Sequence, residues 1–80
     1  MPGLKAMFLD KGPDNNVRCK FICDRCKIEL YVNSNVRLFY EIEKAHPDVA
    51  VMDLDLDAKI GEIETSRMIS SQFDLPVIYV

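Results

Sequence analysis

The chain has 80 residues, 10 basic and 13 acidic side chains and a formal net charge of −3, and 49% of its residues are apolar against 29% charged. That is one small domain at most, with enough apolar residues to build a core. Mild acidity without basic clusters excludes a phosphate-backbone interface and so nucleic acid, no apolar run approaches the roughly 20 residues that span a bilayer, and Met1 to Asp10 lacks the apolar stretch of a secretory signal. With no such signal, the odd number of cysteines (Cys19, Cys23 and Cys26) points to reduced thiols in the cytoplasm.

Four apolar runs read as strands: Leu4 to Leu9, Ile28 to Val32, Val49 to Met52 and Pro76 to Val80. The first, third and fourth are almost unbroken, which suits strands covered on both faces, as in a parallel sheet. Helical patterns fill the gaps. Gly12-Pro13 makes a turn, Asp14 is an N-cap candidate, and Cys19, Ile22, Cys23 and Cys26 at i, i+3, i+4 and i+7 form one apolar stripe. Asn33-Ser34 caps a second helix with Leu38, Phe39, Ile42 and Ala45 inward, ended by Pro47. A third runs from about Glu62 to Gln72 with Ile63, Met68 and Ile69 inward. The order β-α-β-α-β-α-β predicts a parallel sheet with right-handed crossovers and helices on both faces.

The densest chemical feature is Met52-Asp53-Leu54-Asp55-Leu56-Asp57. Strand C-termini form the ligand crevice of an open parallel sheet. Asp10 closes the first strand and Asp53 the third, so neighbouring strands would set two carboxylates side by side. Such carboxylates disfavour each other's ionisation unless a cation sits between them. Mg²⁺, which takes one or two carboxylates plus waters and phosphate oxygens, suits the pair.

Residues 47–80, from Pro47-Asp48-Val49-Ala50-Val51-Met52-Asp53-Leu54 through Gly61-Glu62-Ile63-Glu64-Thr65 to Leu75-Pro76-Val77-Ile78, resemble the middle of a response-regulator receiver domain. The N-terminal half agrees in element order and in the interval from Asp10 to Asp53. The resemblance implies a truncated flavodoxin-like receiver with strand order 2-1-3-4, lacking the last helices and fifth strand. It also implies a phosphorelay role, not an enzyme activity. Asp53 would accept a phosphoryl group from a histidine kinase or phosphotransfer protein, with Mg²⁺ held by Asp10, Asp53 and the backbone carbonyl of Asp55. Departures accompany it. Leu9-Asp10-Lys11 has one acid where the family usually has two. The Thr or Ser after the family's fourth strand and the Lys after its fifth would both lie beyond Val80. Lys11 and Lys59 are the substitutes at hand for the missing charge.

Three other readings compete. A degenerate receiver would serve only as a protein-interaction or dimerisation module. Asp53 to Glu64 meets most of an EF-hand template, with Asp53, Asp55, Asp57, Ile60 and Glu64 in place, but Ala58 stands where Gly is needed and a strand leads in. Cys19-x₃-Cys23-x₂-Cys26 has radical-SAM spacing on a chain too short for that barrel, so the cysteines read as core. His46 reads as a helix-end residue favoured by the dipole. The apolar strand Pro76 to Val80 would be an exposed edge, so a homodimer through it is expected.

Overall fold

The computed structural model describes residues 3–14, 16–53, 56 and 62–80, with 62–64 described by backbone alone. The elements run β1 (Ala6–Lys11), β2 (Val17–Ile22), β3 (Lys27–Val32), α1 (Asn35–Ala45), β4 (Val49–Met52), α2 (Glu62–Phe73) and β5 (Val77–Tyr79). The strands form one mixed sheet in the order β3-β2-β1-β4-β5. β1, β2 and β3 are antiparallel neighbours, whereas β4 pairs parallel with β1 and β5 parallel with β4.

This overturns the expected flavodoxin-like parallel sheet of order 2-1-3-4. The segment expected as the first helix is β2 and the turn that follows it. Val17, Cys19 and Phe21 are buried and alternate with the less buried Arg18, Lys20 and Ile22, the period-2 signature of a strand. A helix built on the Cys19, Ile22, Cys23 and Cys26 stripe would turn Val17 and Phe21 to its opposite side. Burying those two side chains outweighs the helical stripe. The turn into β2 is tight: the Gly12 N–H donates to the Asn16 carbonyl at 2.8 Å, that of Asn16 to the Pro13 carbonyl at 2.9 Å, and Asp14 takes a left-handed φ of 53°.

The later elements match their sequence patterns. The Ser34 hydroxyl accepts the Arg37 N–H at 3.2 Å and caps α1. Leu38 and Ile42 are buried, with Phe39 and Ala45 packed against the core. Ahead of Pro47, His46 ends the helix at a left-handed φ of 51° and donates its N–H to the Ile42 carbonyl at 2.9 Å. In α2, Ile69 is fully buried, but Met68 is partly exposed and Thr65 and Ser66 are buried instead. The inward assignment of Ile63 lies outside the described side chains.

Both helices cover the same face of the sheet. The two crossovers, from β3 to β4 through α1 and from β4 to β5 through α2, advance in one direction across the sheet, and right-handed crossovers that keep one direction stay on one side. That face carries Met7, Leu9, Cys19, Phe21, Ala50 and Met52, which share a core with Leu38, Ile42 and Ile69. The Phe39 and Phe73 rings meet edge to face at 5.8 Å and join the two helices. A hydrogen bond from the Tyr79 hydroxyl to that of Ser66 ties β5 to α2.

Helices on both faces were expected; among the described residues the other face has none. Register aligns its side chains in rows across the strands. One row runs Glu29, Lys20, Phe8, Val51, Ile78; the next runs Tyr31, Arg18, Asp10. The β2–β3 side of this face is charged, and the β1–β4–β5 side is apolar.

Leu9 lies on the central strand between Cys19 and Met52 and is buried. Leu9→Ala is expected to cost about 2–5 kcal/mol in urea unfolding. Val36→Ala, at a position 81% exposed, should change stability by no more than about 0.5 kcal/mol.

Candidate functional site

The two acids singled out in the sequence leave adjacent strands at the same end of the sheet. β1 and β4 are parallel with Leu9 opposite Met52, and the Asp53 N–H donates to the Leu9 carbonyl at 3.0 Å. The next residues along are Asp10 and Asp53. Asp53 is partly buried. Asp55, expected to lend its carbonyl, lies outside the described residues, as do Lys59 and most of the EF-hand-like segment Asp53 to Glu64.

The feature missed in the sequence is Arg18. As the antiparallel register partner of Asp10, it projects on the same face. Its Nε donates to Asp10 Oδ1 at 2.8 Å and its Nη2 to Oδ2 at 2.6 Å, a bidentate guanidinium–carboxylate pair. The hydrogen bonds from Arg18 hold the Asp10 carboxyl below its ordinary value of 3.8. Desolvation opposes this, and the charges of Arg18 and Lys20 reinforce it. The same hydrogen bonds and the charge of Asp10 push the Arg18 guanidinium further up. Arg18, not Lys11, supplies the cation beside this acid; Lys11 is exposed at the end of β1.

This arrangement bears directly on the expected Mg²⁺. Both Asp10 oxygens already accept hydrogen bonds from a fixed positive charge. A divalent ion on that carboxylate would have to displace the guanidinium or sit against it. Among the described residues, no three His, Cys, Asp or Glu side chains come together to hold a metal. As held, both Asp10 oxygens are taken up by the Arg18 guanidinium.

The remaining candidates are scattered. Cys19 is buried, and burial first, then the charges of Glu41 and Asp10, push its thiol up to about 12. It is a core residue, as the sequence suggested, but on a strand. Cys23 is partly buried and Cys26 exposed. Buried Glu41 is met by Arg37 one turn earlier at 3.3 Å. Among the described residues, no helix is long and apolar enough to cross a membrane. Compared with known proteins, the chain matches no family model and no curated protein.

Because the folded-state pKa of Asp10 is depressed, the pair's stabilisation is fully present above the ordinary value of 3.8 and is lost as pH falls through the folded-state value. In Arg18→Gln the Asp10 carboxyl should titrate at higher pH by ¹³C NMR. Acid unfolding, followed by circular dichroism, should begin at higher pH than in the parent. An unchanged Asp10 titration would show that the guanidinium does not set it.

Proposed function

We propose that the chain is a protein-interaction module of a cytoplasmic signalling pathway, and that it docks a second copy of itself along β5. The observation that carries this is the character of the sheet edge. β5 is the outermost strand, Pro76 to Val80 bear no charge, and Ile78, Tyr79 and Val80 are exposed. An uncharged edge lacks the usual guard against strand pairing. The opposite edge has that guard: β3 carries Lys27 and Glu29, both exposed.

A two-fold axis beside β5 brings like residues together. On this segment, self-pairing sets no like charges against one another. The apolar row Phe8, Val51, Ile78 extends the same surface inward across the helix-free face.

The second reading, phosphoryl acceptance by Asp53 from a histidine kinase or phosphotransfer protein, is favoured by one observation. The parallel β1–β4 pair brings Asp10 and Asp53 to one end of neighbouring strands, as the receiver resemblance implies. Here an Asp53 oxygen would bond phosphorus as the phosphohistidine P–N bond breaks, with the electron pair returning to the imidazole. The cation nearest Asp10 would be Arg18.

Sedimentation equilibrium over rising concentration should give a dimer for the parent. Ile78→Lys should give a monomer with an unchanged circular-dichroism spectrum. A parent that stays monomeric throughout rejects the dimer. Incubation with a small acyl-phosphate donor and Mg²⁺ separates the two readings. The interaction module takes up no label; label present in the parent and absent in Asp53→Asn establishes the second.

A further inference from the structure

Cys19, Cys23 and Cys26 fall on one helical stripe in the sequence, but the sheet sorts them differently. β2 and β3 pair with Ile22 opposite Lys27, which makes Cys23 and Cys26 the next residues in register. The pairing continues into them, since the Cys23 N–H donates to the Cys26 carbonyl at 3.0 Å. Only Asp24 and Arg25 lie between. Directly opposed residues on antiparallel strands project to the same face. Cα atoms of a hydrogen-bonded antiparallel pair typically stand about 5.5 Å apart, a spacing inside the roughly 4.4–6.8 Å that a disulfide spans.

The side chains agree with the backbone. Cys23 and Cys26 both line a cavity of about 320 Å³, walled by Phe21, Ile28, Leu30 and Ala45. Neither thiol is sealed in the core: Cys23 is partly buried and Cys26 exposed. Cys19, two residues before Phe21 on the same face, is fully buried, and burial keeps its thiol protonated at neutral pH. The molecule thus holds an accessible pair of thiols and one inert thiol.

We propose that Cys23 and Cys26 form a dithiol site that exchanges with low-molecular-weight disulfides and closes to an intramolecular disulfide across the β2–β3 turn. One thiolate of the pair attacks a sulfur of the oxidant RSSR, forming a mixed disulfide and releasing RS⁻, which takes up a proton. The other, having lost its proton, attacks the protein sulfur of that mixed disulfide and releases the second RS⁻. The protein loses two hydrogens and the oxidant becomes two RSH. The bond pins the end of the hairpin beside the C-terminal half of α1, where Glu41, Lys44 and Ala45 line the same cavity. This inference rests on the hairpin alone and holds under either functional reading.

The test is equilibration of the reduced full chain in glutathione redox buffers, followed by acid quenching, alkylation and intact-mass measurement. A form lacking two hydrogens, with one thiol that alkylates only after denaturation, is expected. Trypsin releases Cys19-Lys20 and Cys26-Lys27 as identical dipeptides, so the bond is mapped in Cys19→Ala, where the peptide ending Cys23-Asp24-Arg25 and the dipeptide Cys26-Lys27 stay joined only if Cys23 and Cys26 are bonded. In Cys26→Ser, Cys23 should stop at the glutathione adduct. Oxidation that stops at mixed disulfides on both thiols in the parent, or a bond that includes Cys19, overturns the proposal. So does a parent left unoxidised where a Cys-x-x-Cys control peptide closes.

Discussion

The antiparallel pairing of β2 along the whole of β1 is the constraint on which the remainder of the molecule depends. It places Val17, Cys19 and Phe21 in the core beside Met7 and Leu9, and so builds half of the buried sheet face. It sets Arg18 against Asp10. It also aims the chain into the turn that brings Cys23 opposite Cys26. Were this segment helical, none of these three relations would exist, because each depends on a two-residue side-chain period.

The C-terminal half was legible because its signals agree with one another. Ser34 caps, Pro47 stops, Leu38 and Ile42 repeat at helical spacing, and Val49 to Met52 is too short and apolar for anything but a buried strand. The N-terminal half was not, since residues 17–26 carry two competing periods. Cys19, Ile22, Cys23 and Cys26 satisfy the helical one; Val17, Cys19 and Phe21 satisfy the strand one. Bulk decides between them, as Val and Phe at Val17 and Phe21 have more apolar surface to bury than the thiols. β-Branched and aromatic side chains also favour the pleated backbone. Arg18 escaped notice for the same reason. Its partnership with Asp10 is a matter of strand register and is invisible once the segment is taken as helix. That Asp10 and Asp53 would share an end of the sheet was legible, because it needs only β1 and β4 to be parallel neighbours, which they are.

The sheet is consequently two halves with different chemistry. The meander of β1, β2 and β3 has charged residues on its open face, where Lys20 lies between Glu29 and Phe8 and Arg18 between Tyr31 and Asp10. The parallel half puts Phe8, Val51 and Ile78 there instead. The difference follows from coverage: antiparallel strands tolerate water on one face, whereas parallel strands ordinarily have both faces covered. Val49 and Val51 are nonetheless only half-buried on the side away from the helices.

The division also sets an order of assembly. Contacts within the meander join residues close along the chain, with turns of a few residues, so closing them loses little chain entropy. Pairing β4 with β1 has to wait for a loop spanning the whole meander and α1. Hairpins form within microseconds, while nonlocal parallel pairings are the slow step in folds of this kind. Short-range contacts therefore favour early pairing within the first three strands, after which β1 offers its free side to β4 and β4 its own to β5.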